Sequence, residues 1–337
     1  MDLFEPTVLG RVPVRNHFVR SATYEGKAAL DGSPTPEIEA LYAQLAEGKA
    51  GMLITSYTHI APYEQPRMNQ LGMYEDRLVD AFRPLVEHVH ECGGAMAMQL
   101  VHGSNWGQGH PESALILGPS KNVHPDSGLV STAATQEHID RVVELFAKAA
   151  GRAKQAGFDA VQLHGAHDYL LSQFMSPLLN HRDDDYGGSL EGRFRLTEQV
   201  YRAVRSEVGD GYPVWIKMNS SDELPGGLDT QGFLWMAERL AAQGIDCIEV
   251  SGNRWKSHAK EERAYYKDAA GRLVQRLAMA APDSPARNTD VILTGGLRTL
   301  EECLAIEREC GVRFFGMARP LLKDPAYIKK LHQGTLA

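Results

Sequence analysis

The sequence predicts a closed (β/α)8 barrel, a TIM barrel of the α/β class. Three observations carry that reading. Short apolar runs alternate with amphipathic helical patterns along the chain, eight such runs can be marked out, and polar side chains gather where the runs end. Alternating strands and helices imply a parallel sheet, and eight repeats are the number that closes it. A doubly wound open sheet is the competing architecture. No G-x-G-x-x-G follows a strand here, which disfavours both that fold and a resident Rossmann-type nicotinamide site.

Thr7 to Val14 alternates about Gly10-Arg11 and reads as a β-hairpin able to close the bottom of a barrel. His17 to Ala22 is the first barrel strand. Pro34 to Lys49 is helical, with Thr35 as cap and Pro36 in the first turn. Gly51 to Ser56 is strand two, and Asp76 to Glu91 the next helix. Its His88 and His90 lie two apart, do not share a helix face, and are read as surface residues. Ala95 to Val101 is strand three, followed by a Gly-, Pro- and Ser-rich excursion from Gly103 to Ser131. Thr135 to His138 caps a helix that Gly157 ends.

Phe158 to Leu163 is strand four, and it leads into the segment that organises the chain, Val161 to Arg193. Leu190 to Val208 is helical, Tyr212 to Met218 is strand five, Thr230 to Ala242 is helical and Asp246 to Val250 is strand six. Asn253 to Arg272 reads as a second long loop. Val291 to Thr294 is strand seven, Leu300 to Glu309 a helix and Val312 to Met317 strand eight. Asp324-Pro325 starts a last helix that ends by Gly334.

Composition excludes several classes. The chain has 337 residues, 43% hydrophobic and 23% charged, with net charge -8 and no basic run, so nucleic acid is not an expected partner. The N-terminal MDLFEPTVLG has no signal-peptide character, and no stretch approaches a membrane span. Cys92, Cys247, Cys303 and Cys310 form no C-x-x-C pair, so no disulfide framework, zinc site or iron–sulfur cluster is expected. A reducing cytoplasm is the expected compartment.

Barrel active sites lie at the C-terminal ends of the strands. Those ends carry Ser21, Ala22 and Thr23; Ser56 and Tyr57; Gln99 and His102; His164, His167 and Tyr169; Lys217; Ser251; Gly295 and Gly296; Ala318 and Arg319. Two histidines near a strand end are often structural. Here a tyrosine joins them where a strand meets a long loop, and long loops in compact domains are usually functional or disordered. Gly295-Gly296 lets backbone N–H groups approach a phosphate, and Arg319 adds a planar donor fork.

These residues resemble the Old Yellow Enzyme family of NADH:flavin oxidoreductases. The most specific piece is LHGAHDYLLSQFMSPLLNHRDDDYGGSLEGR, supported by NHFVRSAT, QLVHG, WIKMNSSD, TGGLRT and GMARPLLKDP. The resemblance spans the chain and implies one FMN-binding barrel domain over residues 1–337. It implies non-covalent FMN, with NADH or NADPH as transient hydride donor. Ser21, Ala22, Thr23, Tyr57, Gln99, His164, Lys217, Ser251, Gly295, Gly296, Ala318 and Arg319 would hold the cofactor. Lys217 would be the cation near the flavin N1/O2 region, and Gln99 would meet the pyrimidine edge. His164 and His167 would bind the carbonyl oxygen of an electron-poor alkene, and Tyr169 would protonate it. A homo-oligomer is compatible with the sequence.

This chain departs from the family pattern at Asp168, where glycine is common, at Ala22-Thr23-Tyr24, at Asn105 and at Gly192. The length and scattered cysteines are not those of the larger iron–sulfur relatives. Two other classes compete: a metal-dependent barrel hydrolase using the same histidines, and a flavin-binding sensor without turnover. Against the first, no H-x-H lies on strand one. Against the second stands the full set of His164, His167 and Tyr169.

Overall fold

The computed structural model describes residues 1–62, 67–107, 115–253, 257–259 and 261–336. An antiparallel hairpin, Thr7–Leu9 with Val12–Val14, comes first. Eight parallel strands follow: β1 Phe18–Arg20, β2 Met52–Ile54, β3 Ala95–Val101, β4 Ala160–Gly165, β5 Val214–Asn219, β6 Cys247–Ser251, β7 Asp290–Thr294 and β8 Phe314–Met317. Each pairs with the next, β8 pairs back with β1, and the barrel is closed. The two-residue strand Thr58–His59 extends the sheet along β3.

Alternation of side chains sorts the core into two layers. Val19, Ile54, Ala97, Trp215, Ile292 and Phe314 fill the lower barrel, and Leu9, Val12 and Val14 of the hairpin floor it. Gly10, at φ +47, donates its N–H to Asp290 (2.8 Å) and accepts from Trp215 Nε1 (3.2 Å). A Cβ there would lie 2.4 Å from Trp215 Nε1, so only glycine closes the barrel this tightly. The second, larger cluster packs the helices onto the outer face of the sheet.

Helix starts follow local chemistry. Thr35 caps Pro36–Glu47, Ser189 caps Leu190–Val208, and capping boxes start Gln136–Gln155 (Thr135/His138) and Leu300–Cys310 (Thr299/Glu302). The last turns are the short helix Arg319–Lys323 and the helix Tyr327–Gln333, ended by Gly334 at positive φ.

Two readings of the sequence are corrected. The loop expected from Asn253 to Arg272 ends early, because Lys267–Ala278 is a helix. Its buried face is mostly small, with Ala269, Ala270 and Gly271 beside Leu273 and Leu277, so it lacks the bulky stripe that marks its neighbours. Strand four begins and ends two residues later than expected, which puts His164 in the ladder rather than beyond it. His88 and His90 are exposed, as read from the sequence, and His90 Nε2 lies 2.9 Å from Asp159. Residues 108–114 of the first excursion, and residues 254–256 and 260 of the second, lie outside the described residues. All four cysteines are free. Among the described residues no helix is long and apolar enough to cross a membrane.

Candidate active site

The floor of the barrel mouth is a buried polar chain that the register assembles. Gln99 on β3 lies beside Gln162 on β4, and His164 on β4 lies beside Lys217 on β5, which lies beside Glu249 on β6. Lys217 Nζ is 2.9 Å from Glu249 Oε1, with the two side chains 3% and 0% exposed. Ser21 and Thr294 hydroxyls donate to the same oxygen, Thr294 at 2.7 Å, and Lys217 also donates to Ser21 Oγ at 2.9 Å. Gln162 Nε2 donates to Glu249 Oε2 (2.8 Å), and Gln99 Nε2 to Gln162 Oε1 (2.6 Å). Burial would raise the Glu249 pKa, but the Lys217 charge and the hydrogen bonds from Ser21, Thr294 and Lys217 outweigh it and lower it. Glu249 is therefore a carboxylate.

The histidines join this chain through His164, beside Lys217. His164 is buried and faces His167 edge-on with ring centroids 5.1 Å apart. His167 Nε2 is 3.0 Å from Ser251 Oγ, and its backbone N–H donates to Asn219 Oδ1 (3.2 Å). His167 and Asp168 have φ of +61 and +57, two consecutive left-handed residues without glycine. Such strain persists only where surroundings over-determine it. Here Asn219 holds the backbone, Asn253 donates to Asp168 Oδ1, and Gln173 donates to the Asp168 carbonyl (2.7 Å). A positive φ is the state glycine adopts without strain, so Asp168 depends on these ties.

Burial lowers the pKa of both rings, aided by the Lys217 charge and, for His164, by His167; His167 falls to about 3. Both are neutral donors at pH 7. The unfolded chain protonates its histidines near 6.5, whereas the folded site does not. Stability is therefore fully present above 6.5 and lost as pH falls toward 3. His167→Asn is expected to flatten part of that slope in urea melts at pH 4 to 7. An unchanged slope would place the ring in water.

Tyr169 packs on His164 at 4.9 Å and on Tyr57 at 5.4 Å, and Tyr24 lies 6.2 Å beyond Tyr57. Burial raises both the Tyr57 and Tyr169 pKa values. For Tyr57 the negative charge of an ionised Tyr169 adds to this, and for Tyr169 a hydrogen bond from Tyr57 and the Arg67 charge oppose it. Tyr169 is thus a protonated phenol next to two neutral imidazoles.

The turns after β1 and β2 are tied together from below. Arg20, 1% exposed, pairs with Glu25 and donates to the Ile54 and Thr23 carbonyls; Tyr42 donates to Glu25 (2.6 Å) and accepts from the Ser56 N–H (3.0 Å). Ala22, Thr23 and Tyr57 sit on these braced turns. At the other side of the mouth, Gly295 and Gly296 follow β7 at φ +129 and +70. A Cβ on Gly296 would lie 2.8 Å from the Tyr265 ring, and Arg319 donates to Tyr265 Oη at 3.4 Å. Gly296 and Arg319 therefore face the same phenol, with Ala318 at the end of β8 beside them.

A sequence model of the NADH:flavin oxidoreductase / NADH oxidase family matches residues 2–336. The chain belongs to this family. It is 34% identical over 336 residues to an NADPH dehydrogenase of Halalkalibacterium halodurans, covering 99% of this chain and 95% of that one. An NADPH dehydrogenase of Geobacillus sp. is 31% identical over 324 residues, covering 96% and 91%. Among solved structures, Old Yellow Enzyme from Pichia sp. superposes with TM-score 0.79 at 26% identity, covering 99% and 87%. Morphinone reductase in complex with tetrahydroNAD superposes with TM-score 0.83 at 24% identity, covering 100% and 92%, a likeness of fold.

In this flavin oxidoreductase the structure brings together some of the strand-end residues read from the sequence. Ser21, Gln99, His164, His167, Tyr169, Lys217 and Ser251 are joined by hydrogen bonds, ring contacts or register, and Tyr57 joins through Tyr169. Glu249, Gln162, Asn219, Glu25 and Tyr265 were missed. Glu249 and Gln162 left only a weak signal, a polar residue in the middle of a mostly apolar strand, CIEVS and AVQLHG. Among the described residues no group of three or more His, Cys, Asp or Glu side chains gathers as metal ligands.

Proposed function

We propose that this flavin oxidoreductase holds FMN non-covalently and reduces carbonyl-conjugated C=C bonds at the expense of NADH or NADPH. The observation that carries the reading is the meeting of two groups at one barrel mouth. The buried chain of Gln99, Lys217 and Ser21 adjoins His164, His167 and Tyr169, with His164 directly beside Lys217.

The residues present fit a flavin. Gln99 Oε1 and His164 Nδ1 are buried without a hydrogen-bond partner, a condition native proteins rarely leave unanswered. Gln99 Oε1 would accept an N–H from the pyrimidine edge, and Lys217 would face its carbonyl side. Gly295, Gly296, Ala318 and Arg319 would hold the phosphate, and Ala22, Thr23, Tyr57 and Ser251 would line the ring. Bound there, FMN would take two electrons from the nicotinamide and deliver them to the β-carbon of the alkene. His164 and His167, as neutral N–H donors, would hold the carbonyl oxygen and stabilise the charge that develops on it. Tyr169, its proton retained by burial, would give that proton to the α-carbon.

The purified protein is expected to be yellow, to release FMN on acid treatment, and to be bleached by anaerobic NADH or NADPH. Adding 2-cyclohexen-1-one should restore the colour. Release of FAD would refute the single phosphate site. A colourless protein with stoichiometric zinc would favour the hydrolase reading.

A further inference from the structure

We propose that Glu249 is the counter-charge of the flavin site, a positioning residue that acts through Lys217 and Gln99 and lowers the electron affinity of the bound flavin. The assignment rests on the function proposed above.

Glu249 is 0% exposed at the centre of the barrel, and four side chains turn toward it: Ser21, Thr294, Lys217 and Gln162. An ionised carboxylate only accepts hydrogen bonds, so every neighbour must present a donor. That requirement propagates. Gln162 turns its amide nitrogen to Glu249, so its carbonyl faces Gln99; Gln99 in turn points its amide nitrogen at that carbonyl, which leaves its Oε1 without a partner. The negative charge of Glu249 thus fixes the orientation of the Gln99 amide, with its carbonyl oxygen free to accept.

The same carboxylate holds the Lys217 ammonium at 2.9 Å. Lys217 is therefore half of a neutral pair, and its attraction for an electron-rich flavin is partly cancelled. In a low-dielectric interior such cancellation is felt strongly. A network serving only to close the barrel would also be buried and satisfied, but it would not distinguish oxidised from reduced cofactor.

The test measures the reduction potential of bound FMN by dye equilibration, together with the Kd of oxidised FMN by fluorescence quenching. Glu249→Gln removes the charge and keeps the shape. It is expected to favour reduced over oxidised FMN by about tenfold relative to the parent, a rise of about 30 mV for two electrons. Glu249→Asp keeps the charge and should change the ratio less than about threefold, since the counter-charge of the pair is retained. The double variant Lys217→Met/Glu249→Gln carries no unpaired charge and is the safer one to fold. Its potential is expected within about threefold, in the same terms, of the parent, because a neutral pair is replaced by a neutral pair.

Equal shifts of oxidised and reduced FMN affinity in Glu249→Gln would overturn the assignment, as would a double variant whose preference for reduced over oxidised FMN falls by more than about tenfold, the signature of losing an uncompensated cation. If Glu249→Gln does not fold, the double variant decides alone. A parent protein that binds no FMN would overturn the proposed function and this assignment with it. A parent that binds FMN while both variants behave as a structural network would overturn this assignment only.

Discussion

Lys217→Met is expected to destabilise the apoprotein by about 3–5 kcal/mol, the usual cost of removing one partner of a buried ion pair. The reason lies in what stays behind. Glu249 is 0% exposed, and without Lys217 it keeps hydrogen bonds from Ser21, Thr294 and Gln162 but no cation. Burial then dominates and pushes its pKa up, so the folded variant binds a proton that the unfolded chain releases at neutral pH. The loss should accordingly shrink as pH falls toward the ordinary carboxylate range. Urea melts of the apoprotein between pH 4.5 and 8 would show this as a variant whose deficit is largest at high pH. Adding Glu249→Gln to Lys217→Met should restore most of the stability, because the stranded charge is gone. A single variant within about 1 kcal/mol of the parent at pH 8 would mean the pair is exposed to water, as surface pairs contribute no more than that.

This pair also marks where reading the sequence stopped. The barrel was legible because each strand is a short apolar run and most helices carry a cap and a periodic stripe. Thr35, Thr135 and Ser189 cap where their sequence places them. Lys267–Ala278 was not legible, since its inward face is built of Ala and Gly packed close to its neighbours, with Gly271 against Cys310. In the site, His164, His167 and Tyr169 stood out because they cluster in sequence. Glu249 did not, because its meaning depends on register: only when β6 lies beside β5 does a glutamate become the partner of Lys217. Glu25 and Tyr265 act through folded turns for the same reason, Glu25 on Arg20 and Tyr265 on Gly296 and Arg319. Side chains that do chemistry can be recognised by type and position, whereas those that orient them become visible once the sheet is closed.

Tyr169→Phe is expected to separate the two halves of the catalytic cycle. The substitution removes one hydroxyl and leaves the ring that packs on His164 and Tyr57. Bleaching by NADH requires no proton from this group and should proceed at close to the parental rate. Return of colour with an enone requires a proton on the α-carbon, and a positioned general acid contributes about 10²–10⁴-fold. Stopped-flow traces at the flavin absorbance should therefore show a normal first phase and a second phase slowed within about that range. Reoxidation by molecular oxygen should be unchanged. His164→Ala should differ, weakening enone and phenol binding as well as slowing reduction, since a hydrogen bond to a charge-bearing oxygen contributes about 1.5–3 kcal/mol. A Tyr169→Phe protein that reduces enones at the parental rate would move the proton donor elsewhere. Asp168 is badly placed for that role, with its carboxylate accepting from Asn253. Tyr57 is better placed, with its ring 5.4 Å from that of Tyr169 and a phenol that burial keeps protonated. The double variant Tyr57→Phe/Tyr169→Phe would then show the slow second phase that the single variant lacked.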